Sequence, residues 1–281
     1  RTIMTIRIVS DSSSDLLTLS GVDYLTVPLK VMFGSKEYID ELGTDVEQMV
    51  LALQEFDGPS TTSCPNMKEW LDAFEGADEI IAITISSGLS ASYSSAEMAV
   101  QEYLSANPNA KAHIFDSHAT GPVERLIIEK LRDGIMAGKS FETIRDETIE
   151  YQKRIRILYS LESLNNLARN GRVNAHVARI ASTLNIRAIG HASDEGTVEL
   201  LHKCRGNNRA LKTIVKEMAA RGCTGGKVHI DHCLNPKSAL TLKEMIEKQF
   251  PGIDVCINPC GVLCSYYADM GGLIIGYEVG A

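Results

Sequence analysis

Ile80-Ile81-Ala82-Ile83-Thr84-Ile85 runs directly into Ser86-Ser87-Gly88-Leu89-Ser90-Ala91-Ser92-Tyr93, and this stretch decides the fold. The first six residues are apolar or β-branched with no polar alternation. That pattern predicts a strand covered on both faces, as in a parallel sheet flanked by helices. The Ser/Gly segment predicts a turn that leaves the strand and opens a helix, aiming backbone N–H groups and hydroxyls at one point. Such a turn suits a small anionic head group, a phosphate or a carboxylate.

Strand and helix signals alternate outward from there. Ile6-Arg7-Ile8-Val9 reads as a strand leading into the turn Ser10-Asp11-Ser12-Ser13-Ser14, and Leu25 to Val31 as a second strand. Thr44 and Glu47 have capping-box spacing ahead of Val46, Met49, Val50 and Leu53. Asn66 and Glu69 mark a helix start for Met67, Trp70, Leu71 and Phe74. Ala112 to Phe115 is strand-like, Val123 to Met136 helical, and Ile155 opens another strand. Val177, Ile180, Ala181 and Leu184 share one helical face, as do Leu211, Ile214, Val215 and Met218. Val228–Ile230, Val255–Ile257 and Leu273–Ile275 interleave as strands. The alternation predicts an α/β protein with largely parallel sheets. No Pro/Gly/Ser-rich linker separates the halves, so two packed α/β domains are expected, residues 1–155 and 156–281, with the ligand site at or near their interface.

The net charge of −8 over 281 residues, without a Lys/Arg run, argues against nucleic acid and anionic membrane surfaces as partners. No stretch is long and apolar enough to span a bilayer. Met4, read as the natural start, is not followed by the apolar core of a signal peptide. Seven cysteines, an odd number, read as reduced thiols and point to the cytoplasm.

Thr61-Thr62-Ser63-Cys64-Pro65 is read as a second hydroxyl-rich turn before a helix, and two such turns at strand ends can converge. The plainer reading of the serines is helix capping. Asp11 to Asp15 carries two acids that would repel an anion, which leaves capping and turn-making. Asn170-Gly171 reads as a positive-φ turn at a helix end, followed by Arg172, either a carboxylate partner or a solvated surface arginine. No metal site is expected: His229-Ile230-Asp231-His232-Cys233 alternates like a strand, and Cys256, Cys260 and Cys264 lack structural-zinc spacing. Phosphate-binding G-x-x-x-x-G-K-[ST] and G-x-G-x-x-G motifs are missing. A serine esterase or acyl hydrolase using Ser90 or Ser86, with His118 and Asp116, stands as the enzyme alternative, although no G-x-S-x-G elbow is present.

The ordered set of motifs resembles the DegV family of fatty-acid-binding proteins over nearly the whole chain. The matching residues are Ile8-Val9-Ser10-Asp11-Ser12, Thr62-Ser63-Cys64-Pro65, Ser86 to Tyr93, Asp116-Ser117, Leu161-Glu162-Ser163-Leu164, Gly171-Arg172-Val173, Leu184-Asn185-Ile186 and Lys203-Cys204-Arg205-Gly206. The resemblance implies a carrier without catalytic residues or a cofactor. It would bind a long-chain fatty acid such as palmitate or oleate and present the carboxylate to a separate ATP-dependent fatty-acid kinase. It implies a head-group site at Thr62, Ser63 and Ser90, with Arg172 in support. The chain departs from the family pattern at Cys64 (usually Gln), at Asn170 (usually Gly) and at Asp269-Met270-Gly271 (usually Gly-Pro-Gly). Tyr267 stands where the family carries His, and it joins the ligand-binding set as a neutral hydrogen-bonding hydroxyl. Burying about fourteen methylenes supplies roughly 11 kcal/mol gross, so the tail would carry the affinity and the polar end would cancel the cost of burying a charge.

Overall fold

β1 (Ile6–Asp11) ends in one 3-10 turn, Ser12–Ser14, and leads to β2 (Asp23–Val27). β3 (Lys30–Phe33), β4 (Lys36–Ile39), α1 (Val46–Glu55) and β5 (Ser60–Ser63) follow. The first half continues through α2 (Met67–Phe74), β6 (Glu79–Thr84), α3 (Ser92–Ala106), β7 (Lys111–Asp116), α4 (Pro122–Met136) and α5 (Phe141–Gln152). The second half holds β8 (Ile155–Leu161), α6 (Asn165–Arg169), α7 (Ala175–Ala181), β9 (Ile186–Ala192), β10 (Val198–Arg205) and α8 (Asn207–Ala220). It closes with β11 (Lys227–His232), α9 (Pro236–Gln249), β12 (Asp254–Pro259), α10 (Val262–Ala268) and β13 (Leu273–Glu278). The computed structural model describes residues 5–280, so the start assigned to Met4 lies outside the described residues.

The first sheet has the order β2-β1-β6-β7 and is parallel throughout. Trp70, Phe74, Ala96 and Tyr103 cover one face, over Val9, Ile80 and Ala82. Leu126, Ile127 and Leu131 cover the other, over Ile8, Ile81 and Ile83. Double coverage is why β6 shows no polar alternation. The α/β class holds, but the second sheet departs from the parallel expectation. Its order is β10-β9-β8-β13-β11-β12, and only β11 and β12 pair in parallel. A short connection, residues 193–197, makes β9 and β10 an antiparallel pair, and β13 returns between β8 and β11. Alternating strand and helix signals do not encode strand direction.

Leu158, Ile230 and Ile275 face α8 and α9 across one side of this second sheet. On its other side Tyr159, Leu161 and Ile274 share a core with Tyr266 and with Val31, Phe33, Met49 and Val50. Residues from the first half therefore complete a core of the second.

Three local expectations change. The strand expected over Leu25–Val31 breaks at Pro28-Leu29, where proline has no N–H to give and the Leu29 N–H donates instead to Ser12 Oγ at 2.8 Å. The segment read as a turn at Thr61–Ser63 is strand β5, in the small antiparallel sheet β4-β3-β5, with Thr62 opposite Val31. The expected face through Leu184 stops short, because α7 ends at Ala181 and Leu184 is 90% exposed. The first-turn cap of α1 is Asp45, which accepts the Gln48 N–H at 2.9 Å, while the reciprocal Asn66–Glu69 capping box of α2 forms as read.

Candidate ligand-binding site

Strand alternation turns Ile157, Tyr159 and Leu161 to one face of β8. With Leu29, Ile85, Leu89, Val198, Leu263 and Ile274 they line a largely apolar cavity that opens to solvent. Ile157 and Leu161 stand about 13 Å apart along the strand, so the space runs lengthwise along β8. The lining is apolar even where a polar residue contributes. The Tyr159 hydroxyl turns away and donates to the Glu199 carbonyl at 2.9 Å. To do so the ring crosses Gly190, where a Cβ would run into the Tyr159 hydroxyl.

One end of the cavity is polar. Thr62 Oγ1 and the Tyr267 hydroxyl are 2.7 Å apart and both line the wall. β5 supplies the first and α10 the second. Burial pushes the Tyr267 phenol above its ordinary pKa while Thr62 and Arg172 pull it down, so it stands as a neutral donor near a guanidinium. Arg172 also lines the cavity; its Nε donates to the Leu89 carbonyl at 2.9 Å and a second nitrogen bonds the Asn170 carbonyl. Ser90 lines the same space and its Oγ accepts the Ser92 N–H at 3.2 Å. Thr62, Ser90, Arg172 and Tyr267 thus come together from four distant segments. Ser63 does not: it follows Thr62 on β5, alternation turns it away, and it is not part of the cavity wall.

The backbone N–H groups from Ile85 to Ser90 are already engaged within the protein. Ile85 N–H and Ser92 Oγ both donate to the buried Asp11, at 2.9 and 2.7 Å. Ser87 N–H donates to Asp116 at 3.2 Å, and those of Leu89 and Ser90 to the Ser86 carbonyl. Two residues that sequence reading missed hold the polar end in place. Asp40 accepts the Val262 and Leu263 N–H groups at 3.0 and 3.2 Å, anchoring α10. The Tyr266 hydroxyl meets Ser60 Oγ at 2.7 Å and accepts from Asn170 at 2.8 Å.

The chain matches the model of a family described as uncharacterised proteins of the DegV family, over residues 5–278. A DegV domain-containing protein of Streptococcus pyogenes is 36% identical over 280 residues, covering 98% of this chain and all of the relative. The chain belongs to the DegV family. Two solved relatives of this DegV protein hold lipid. A DegV family protein from Eubacterium eligens loaded with heptadecanoic acid is 40% identical, with a TM-score of 0.95 over 98% of this chain and all of that one. The Streptococcus pneumoniae Fatty Acid Kinase (Fak) B3 protein loaded with linoleic acid is 35% identical, with a TM-score of 0.96 over 99% and 100%.

The hydrolase alternative finds no base. In this DegV protein Ser86 is buried and its Oγ donates to the Gly196 carbonyl at 2.7 Å. His118 Nδ1 stands 3.7 Å from Asp116 Oδ2, and among the described residues neither Ser86 nor Ser90 is hydrogen-bonded to a histidine. His229 lies beside Glu129 and accepts from Asn258. Among the described residues no group of three His, Cys, Asp or Glu could hold a metal ion, and no helix is long and apolar enough to cross a membrane.

Proposed function

We propose that this DegV protein is a cytoplasmic carrier of a long-chain fatty acid. The tail lies along β8 between the two halves, 1–155 and 156–281. The carboxylate meets the hydroxyls of Thr62, Tyr267 and Ser90, with Arg172 adjacent. The observation that carries this reading is an apolar cavity whose one polar end is a pair of neutral hydroxyls beside a guanidinium. Its support from outside the chain is the heptadecanoic and linoleic acids in the two relatives above. The protein is not itself a catalyst; it presents the acid to a separate ATP-dependent kinase that forms the acyl phosphate. The Streptococcus pneumoniae relative's name, Fatty Acid Kinase B3 protein, supports that partner. Neutral hydroxyls suit the handover, since they satisfy the carboxylate oxygens without neutralising the nucleophile.

Native mass spectrometry of protein purified from a bacterial host tests the reading. Expected is a co-purified fatty acid that exchanges with added palmitate or oleate. A ligand-free mass with no uptake of either acid overturns it.

A further inference from the structure

Behind the apolar cavity lies a second cleft, more polar than the first, lined by Gln152, Lys153, Arg156 and Asp194 together with Val123 and Ile149. The two spaces follow one another along the same face of β8. Ile155 lines only the cleft, Ile157 lines both, and Tyr159 and Leu161 line only the cavity. Continuing in that direction the chain reaches Leu167 and Arg172 at the polar end. The division between cavity and cleft therefore falls at Ile157, at the end remote from the Thr62–Tyr267 pair. Three other residues line both spaces beside it: Ala119, from the loop after β7, Ala192, the last residue of β9, and His191, whose ring is bonded to Glu199 and Arg221. Ile157 packs against both the Tyr159–Leu161 core and the core around Leu126 and Ile127, so it bridges the two halves at this point.

We propose that Ile157 is the stop for the acyl tail: it sets the longest chain this protein accommodates with profit in affinity. This rests on the fatty-acid reading and adds to it a residue that fixes chain length. The physical reason is the change of surroundings across the isoleucine. Each methylene buried on the cavity side adds about fourfold to affinity, from about 0.8 kcal/mol converted at 1.4 kcal/mol per tenfold. A methylene pushed past Ile157 enters a more open cleft of mixed polar and apolar lining, where less of it is removed from water and the increment falls.

The test is a titration of wild type, Ile157→Ala and Ala192→Leu with saturated acids from twelve to twenty-two carbons. For wild type, affinity rises about fourfold per methylene and then levels at a definite length. Ile157→Ala moves that length up by two carbons or more. Ala192→Leu adds bulk at the same point from the neighbouring strand and moves it down. Unchanged break lengths in the folded variants overturn the proposal, and either variant alone suffices if the other does not fold. A shift in overall affinity at constant break length also overturns it, since loosened packing alone would do that. A wild type that takes up no acid of any length refutes the fatty-acid reading instead.

Discussion

The Thr62–Tyr267 pair leads to an unusual expectation for its mutants. Two hydroxyls carry two protons. Their mutual bond at 2.7 Å uses one and leaves one to point at a ligand oxygen. In Thr62→Ala the Tyr267 hydroxyl loses its partner but keeps its own proton, which the carboxylate can take. In Tyr267→Phe the Thr62 hydroxyl is released in the same way. Each single change therefore costs less than one charge-assisted hydrogen bond, about 1 kcal/mol, or roughly fivefold in affinity. Removing both leaves that carboxylate oxygen with no hydroxyl donor from the pair, and the full loss of about 1.5–3 kcal/mol appears, between tenfold and a hundredfold or somewhat more. At the upper end of that range the double mutant loses more than the sum of the singles, about 2 kcal/mol, and that excess is the expected outcome. Calorimetric titration with palmitate on delipidated protein measures all four corners of the cycle. The methyl ester of the same acid, uncharged at that end, is the control and shows a much smaller double-mutant loss. Additive losses, or equal losses for acid and ester, refute the one-proton account.

Three further outcomes follow from separate parts of the site. Burial lifts the Asp40 carboxyl from 3.8 to about 6, so folding takes up a proton between those values; this contribution to stability is fully present below pH 3.8 and is lost as pH rises through 6. About 1 kcal/mol of it falls between pH 5 and pH 7, so wild type melts higher at pH 5, and Asp40→Asn flattens that dependence by about 2 °C in thermal melts. Arg172→Lys keeps the charge but cannot bond the Leu89 and Asn170 carbonyls with a planar fork, so fatty-acid affinity drops about tenfold while the urea midpoint hardly moves; unchanged affinity shows that charge alone is what the site uses. Gly190→Ala drives a methyl into the Tyr159 ring and the Glu199 carbonyl, and urea unfolding should show a loss of about 1–3 kcal/mol or more.

What could be read in advance was whatever a short window of chain decides for itself. The β6 run, the Asn66–Glu69 capping box and the helix over Val123–Met136 depend on local pattern, and they appear where they were read. Strand direction in the second sheet depends on where distant strands land. Nothing in Leu273–Ile275 tells that β13 inserts antiparallel between β8 and β11. The hydroxyls at Thr61–Ser63 suggested a turn, and pairing with β3 overrode that local preference, as context does for strands generally. Tyr266 and Asp40 escaped notice because their partners lie far along the chain, at Ser60 and Asn170 for the first and at the start of α10 for the second.

The anion site shows the same limit from the side of chemistry. Sequence alone favours the helix start after β6, where unpaired N–H groups are the default. In the folded chain Asp11, from the end of β1, and Asp116, from the end of β7, supply carboxyl oxygens to that loop from within the protein. Asp11 is fully buried, and burial raises its pKa while the Ser13, Ser92 and Ile85 donors oppose the rise. The Ile85 and Ser87 N–H groups are thereby occupied by carboxyl oxygens of the protein itself. This occupancy supports the proposed reception of a ligand carboxylate by side chains; the paired hydroxyls, Thr62 on β5 and Tyr267 on α10, are 205 positions apart. Thr62→Ala with Tyr267→Phe should therefore impair acid binding, whereas Asp11→Asn, by freeing no new donor at the cavity, should lower stability without improving affinity. Tighter palmitate binding in Asp11→Asn would return the anion to the helix start.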